Sequence, residues 1–260
     1  MGDLQAAALT FLARVLWLQG YPDQATQTAT RAVERAKSTG HAFSLSHALH
    51  LAACPVAIWT GDWDQAREYI DVLGEQLWMH SLSIQRSNLG SRHRSVFLIK
   101  RGDVSRGVDM LRSSLGVLST YVTLRGVSDF RAELAWGLGR SGRVDEGIGA
   151  IENVIVFAED INDGWIHPEL LRIKGELLRL RGAPEDPRAE SCFRQALKEA
   201  HQQGALSWEL RAATSLAGML REQGRLADAT AILQPVYDRF TEGFDTADLK
   251  SARALLDRLQ

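Results

Sequence analysis

Along almost the whole chain, apolar residues return at three- and four-residue intervals, the spacing that gives a helix one buried face. These stretches come in twos. A glycine joins each pair: Gly20, Gly61, Gly102, Gly142, Gly182 and Gly224, separated by 41, 41, 40, 40 and 42 residues. A period this steady is the signature of a repeat architecture. It predicts helix pairs over about 4–38, 42–79, 82–119, 126–159, 167–203 and 207–240. A last helix, about 247–259, has an apolar face of Leu249, Ala252, Leu256 and Leu259 and a charged side of Asp248, Lys250, Arg253 and Arg258. Such a helix closes a stack of repeats. Residues 1–260 are therefore expected to form a single all-α domain, a right-handed α-α superhelix of the tetratricopeptide-like solenoid kind, with about six helix pairs and a capping helix.

The residues around each glycine agree. Seven before it stands a small side chain: Ala13, Cys54, Ser95, Ala135, Gly175 and Ala217. Five after it stands Ala25, Ala66, Gly107, Gly147 or Ala229, and the fifth copy, two residues longer at this point, supplies Ala189. Two antiparallel helices need a residue tolerant of positive φ at a tight turn, and small side chains where they approach closely. Asp62 and Gln65 read as a capping box, and Pro22 and Pro168 suit first-turn positions. Pro55 is expected to kink the first helix of the second pair. The β-like runs Val117–Val122 and Val154–Phe157 fall at the ends of predicted second helices. The first helix enters at once with Ala6, Ala7, Ala8, Leu9, Phe11 and Leu12, with no polar helix before it. That end is expected to be covered by another domain or a partner.

A period near 41 lies closer to HEAT or armadillo repeats than to the tetratricopeptide repeat of about 34 residues. The residue pattern favours the second, with lengthened helices. Three stretches carry a further likeness: His167–Leu178, Gly204–Ala217, and Pro235–Tyr237 with Phe240–Lys250. They resemble the C-terminal region of large bacterial signalling ATPases. In that family a winged-helix DNA-binding domain or a class III nucleotide cyclase precedes a P-loop ATPase, and this helical region follows. Residues 53–62 look more like the winged-helix branch. The resemblance spans essentially the whole chain and is strongest after residue 165. It implies a regulatory role, with the ATPase domain of a longer protein as one partner. The chain itself has no GxxxxGK[ST] phosphate loop, so the family's ATPase chemistry does not transfer.

The formal net charge of −2 gives no general pull toward nucleic acid or anionic lipid, and neither is expected as a direct partner. Two distant cysteines, Cys54 and Cys192, suit a reducing compartment. The N-terminus lacks the marks of a signal peptide, and the longest apolar run, residues 51–59, is too short to cross a bilayer. A cytoplasmic protein is expected.

Candidate chemistry is sparse. His47 and His50 share a helix face with His41 nearby, but no third metal ligand stands at a suitable spacing. Ser207 reads as the cap of a helix beginning at Trp208. Glu169 and Glu176 alternate with Arg172 and Arg179, which reads as a solvated ion-pair ladder rather than an acid–base pair. No enzyme, metal or cofactor is expected. The tetratricopeptide register places Arg14, Trp17, Arg92, Trp136, Arg172, Glu176, Arg179, Arg211 and Arg221 on the concave groove as binding candidates. An arginine-rich groove suits a carboxylate-bearing peptide or protein segment. The leading expectation is a non-catalytic interaction module regulating an ATPase, and the alternative is a sensor of a small-molecule or peptide inducer.

Overall fold

The computed structural model describes residues 2–79, 84–116, 126–182 and 186–259. Every regular element among them is helical, and the fold is a tetratricopeptide-like solenoid of helix pairs. The chain divides into two compact units, residues 1–17 with 21–123, and residues 18–20 with 124–260.

The first unit holds α1 (Leu4–Leu18), α2 (Pro22–Ser38), α3 (Ala42–Ala48), α4 (Cys54–Thr60), α5 (Trp63–Met79), α6 (Ile84–Arg101) and α7 (Val104–Gly116). Asp3 opens α1 by accepting from the Ala6 amide at 2.7 Å, and its other oxygen takes the Arg35 guanidinium at 2.9 Å. Between α3 and α4 the helix widens into a π-turn, Leu49–Ala53, where the Cys54 amide reaches back to the Leu49 carbonyl. Pro55 is the physical reason. It has no N–H, and its ring crowds the carbonyl one turn earlier, so the turn before it opens. The expected kink takes this form.

The second unit holds α8 (Ser128–Arg140), α9 (Val144–Asp160), α10 (His167–Leu180), α11 (Pro187–Gln203), α12 (Leu206–Glu222), α13 (Leu226–Tyr237) and α14 (Ala247–Leu256). The pairs stack in chain order: α10 packs on α8, α9, α11 and α12, and α12 on α14. One apolar cluster runs through the unit, with Ile151, Leu170, Leu177, Phe193, Leu216 and Leu233 fully buried in it. The run Val154–Phe157 lies within α9, whereas Val117–Val122 falls outside the described residues.

All six turn glycines have positive φ, from 75° at Gly224 to 114° at Gly182. In the third and fourth pairs the small positions face each other, whereas Gly175 in the fifth makes room for the Phe193 ring. A Cβ on Gly107 would lie 2.8 Å from the Ser95 carbonyl, and one on Gly147 2.8 Å from the Ala135 carbonyl. Half of the Asp62 capping box forms: Asp62 accepts from the Gln65 amide at 3.1 Å, while the Gln65 side chain turns to Glu68. Ser207 does not cap. The helix begins two residues earlier, at Leu206, Ala205 takes the cap position, and Ser207 is buried inside α12.

The span Ala42–Thr60 is continuous enough, by length and composition alone, to match a membrane-crossing helix. The apolar run read from sequence underestimated it because α3 and the π-turn extend it. Two thirds of the span, 67%, is buried inside the protein, as a core helix requires.

Candidate functional site

The spacing Glu169, Arg172, Glu176, Arg179 places four charges on one face of α10, because steps of three and four residues return to the same side of a helix. They join charges from α12 and α14 in one chain. Arg172 grips Glu169 with two bonds, Nε–Oε2 at 2.7 Å and Nη2–Oε1 at 2.8 Å. Arg211 reaches the same Glu169 at 3.4 Å and donates its Nε to Asp248 at 2.7 Å. Arg179 bonds Glu176 at 3.2 Å and Glu222 at 2.6 Å. Arg211 also lies 5.0 Å from the centre of the Trp208 ring.

This ladder is not solvated. The side chain of Glu169 is 6% exposed, those of Arg172 and Arg211 15% and 13%. The next first helix, α12, supplies partners above α10 that the charges of α10 alone did not reveal. Burial by itself would lower the pKa of Arg172 and Arg211. Glu169 beside Arg172, and Asp248 with Glu169 beside Arg211, outweigh it and hold both above their usual value. The structure thus brings Arg172, Glu176, Arg179 and Arg211 together. Trp136 and Arg221 stand outside the ladder. Trp136 packs on the apolar cluster with the Arg140 guanidinium 5.8 Å from its ring, and Arg221 makes no ion pair among the described residues.

In the first unit, Arg14, Trp17 and Arg92 meet partners that sequence reading missed. Trp17 lies 4.5 Å from Trp59, centre to centre, and the Arg14 guanidinium 5.6 Å from Trp59. Arg92, 2% exposed, donates to the Ser114 carbonyl at 3.3 Å. Beside it, His50 Nδ1 and His93 Nε2 are 2.9 Å apart. Burial, with Arg92 and Arg14 adding to it, pushes His93 down to about 3, and burial with the neighbouring His93 lowers His50 likewise. Both imidazoles are neutral at neutral pH. His47, expected to share a face with His50, instead stacks on Phe43, and His41 accepts from the Ser44 amide to open α3. Among the described residues no three His, Cys, Asp or Glu side chains are placed to hold a metal.

A signal for these pairs does exist in the sequence. His50 and His93, Arg179 and Glu222, and Trp165 and Trp208 are each 43 residues apart, and Glu169 and Arg211 are 42 apart. Facing positions on successive first helices are offset by slightly more than one glycine period.

A cleft of about 510 Å³ lies among α9, α10 and α11, lined by Ile148, Leu178, Lys174, Arg181, Arg188 and Cys192. Its cations already hold carboxylates: Lys174 holds Glu152, Arg181 holds Asp145, and Arg188 holds Asp186. Burial raises the Cys192 thiol, so the cleft contains no activated nucleophile.

No protein-family model matches the chain, and no curated protein matches it. Among solved structures, the chain is similar to Bacillus thuringiensis PlcR in complex with the peptide PapR7 and DNA. The two share 12% identity over 99% of each chain, with a TM-score of 0.55. At that identity the likeness carries the helical-repeat fold alone. That structure contains DNA, so the expectation of no nucleic-acid partner gains no support from it.

Proposed function

We propose that this chain is a non-catalytic, peptide-sensing regulatory module acting in the cytoplasm. The observation that carries the reading is the full-length likeness to a protein solved with a bound peptide. It favours the sensor over the plain interaction module, which was the leading expectation from sequence. The resemblance of residues 167–250 to the C-terminal regions of signalling ATPases supports the regulatory half, with an ATPase domain as the responder.

The ligand we propose is a short peptide lying across the first helices of the second unit. Trp136 offers an apolar platform with Arg140 beside it, and Arg221 offers an uncommitted guanidinium for a carboxylate. The buried ladder between them holds the helices in register rather than binding directly, because each of its arginines is already engaged. Arg14, Trp17 and Arg92 belong to the first unit, where Trp17 and Arg92 are each 2% exposed and Trp17 packs on Trp59, so these two brace the helices rather than meet a peptide.

The test is a thermal-shift and fluorescence screen of the full chain against a library of five- to eight-residue peptides. Saturable binding that weakens at least about tenfold in Trp136→Ala and Arg221→Ala is the expected result. Binding that ignores both substitutions overturns the site. A protein that no peptide stabilises, and that binds only a folded ATPase domain, returns the reading to the interaction module.

A further inference from the structure

The cleft among α9, α10 and α11 has no part in the peptide reading. From α10 it takes Lys174, Leu178 and Arg181, each two residues beyond a member of the buried ladder, Arg172, Glu176 or Arg179. Two residues are about 200° around a helix, so the cleft opens on the side of α10 turned away from the ladder. Among the described residues lining it, three are cations, Lys174, Arg181 and Arg188, and one is a carboxylate, Glu152. These charges share one field. Burial is the main influence on the Cys192 thiol, but Lys174, Asp186, Glu152 and Arg188 all act on it as well. Asp186, held first by Arg188, also feels Arg181.

The carboxylates that meet these cations leave room for a stronger anion. Glu152, paired with Lys174 at 2.9 Å, has a side chain 52% exposed. Asp145 is 87% exposed and lies 4.0 Å from Arg181. Ion pairs so open to water are held weakly. Asp186 is fixed, because it caps α11, but it takes only the Nε and Nη2 of Arg188, at 3.0 and 2.7 Å, and leaves Nη1 for a ligand.

We infer that this cleft binds a phosphomonoester with a compact, non-aromatic body, a sugar phosphate being the simplest case. A phosphomonoester brings nearly two negative charges and three acceptor oxygens to the three cations, where a carboxylate brings one charge. The walls are aliphatic, Ile148, Leu178 and Pro187, and no aromatic ring among the described lining residues offers a nucleobase a stacking surface. Glu152, released when phosphate takes Lys174, and Ser191 are the groups for hydroxyls on the body. A volume of about 510 Å³ suits a small molecule of this size. Because the lining comes from three successive helices, the ligand ties them together on the side away from the peptide surface.

Cys192 lies on the cleft wall and reports occupancy, while Cys54 is fully buried. Alkylation of the full chain with iodoacetamide is followed at Cys192 by mass spectrometry. Glucose 6-phosphate at up to about 10 mM should slow it saturably, at least about fivefold, and glucose should leave it unchanged. AMP should protect at least about tenfold more weakly than glucose 6-phosphate. By calorimetry, Lys174→Ala and Arg181→Ala should each weaken glucose 6-phosphate binding at least about tenfold, with circular dichroism unchanged. The exposed Arg181 carries the test alone if Lys174→Ala does not fold. Arg253→Ala, on α14, should bind like the wild type. Absence of protection by glucose 6-phosphate overturns the inference. So does equal protection by glucose or AMP, or binding that survives the loss of Arg181.

Discussion

His50 and His93 share one proton-bearing contact, 2.9 Å between Nδ1 and Nε2, inside the first unit. Such a pair is stable only while both rings stay neutral, because Arg14 on α1 and Arg92 on α6, with His47 on α3, add positive potential around it. Their folded pKa values lie below the unfolded value of about 6.5, so below that pH the unfolded chain binds more protons than the folded one. Stability should be full above about pH 6.5 and fall as the pH drops toward 3. Urea titrations at pH 7 and pH 4.5 should show a loss of more than about 2 kcal/mol, and a His50→Phe, His93→Leu double variant should lose less. Equal losses in the two proteins would refute the assignment.

Glu169 carries the greater electrostatic weight in the second unit. One carboxylate, 5% exposed as a residue, is held by Arg172 from its own helix and Arg211 from the next first helix. Glu169→Gln leaves two enclosed guanidiniums facing each other and should cost about 3–5 kcal/mol in denaturant unfolding. The exposed pair Arg253–Asp257 gives the comparison, and Arg253→Ala should change stability by less than about 1 kcal/mol.

Two helical glycines should respond oppositely to the same added methyl. At Gly147 a Cβ would press on the Ala135 backbone carbonyl at 2.8 Å, so Gly147→Ala forces α8 and α9 apart and should cost about 1–3 kcal/mol. At Gly218, inside α12, a Cβ meets nothing within 4 Å, and Gly218→Ala should gain about 0.5–1 kcal/mol. Thermal melts of the two variants check the sign of each.

The thiols should separate by accessibility. Burial raises Cys54, which is 0% exposed, and raises the partly buried Cys192. In a timed reaction with a disulfide reagent, Cys192 should label slowly and Cys54 only on unfolding. Prompt labelling of Cys54 would mean that the helix Cys54–Thr60 opens far more readily than its packing implies.

The helix pairs were legible because their cause is local. A turn that needs positive φ selects glycine, and helices in contact select Ala, Gly, Ser or Cys at fixed offsets from it. The Glu169–Arg179 ladder was half legible for the same reason: steps of three and four are visible within one helix, whereas Arg211 and Glu222 arrive from 42 and 43 residues further on, and Asp248 from 37 residues beyond Arg211. Ion pairing, rather than a free arginine cluster, followed once those partners closed over α10. His93, and Trp59 as the particular partner of Trp17, escaped notice because nothing near them in sequence marks the pairing. Only the offset between successive first helices pairs them with His50 and Trp17. Ser207 misled because a hydroxyl near a helix start reads as a cap until the true first residue, Leu206, is known.

The π-turn at Leu49–Ala53 acts as a frame-keeper for its helix. It holds one residue more than an ordinary turn would, so His50 can look toward His93 while Trp59, beyond Pro55, still meets Trp17. Removing that one residue would restore regular winding and turn everything after it by about 100°. Either the histidine or the tryptophan would then swing off its neighbour. This stretch should therefore tolerate substitutions far better than any change in length, an asymmetry that single-residue deletions through 49–53, compared with alanine replacements there, would expose.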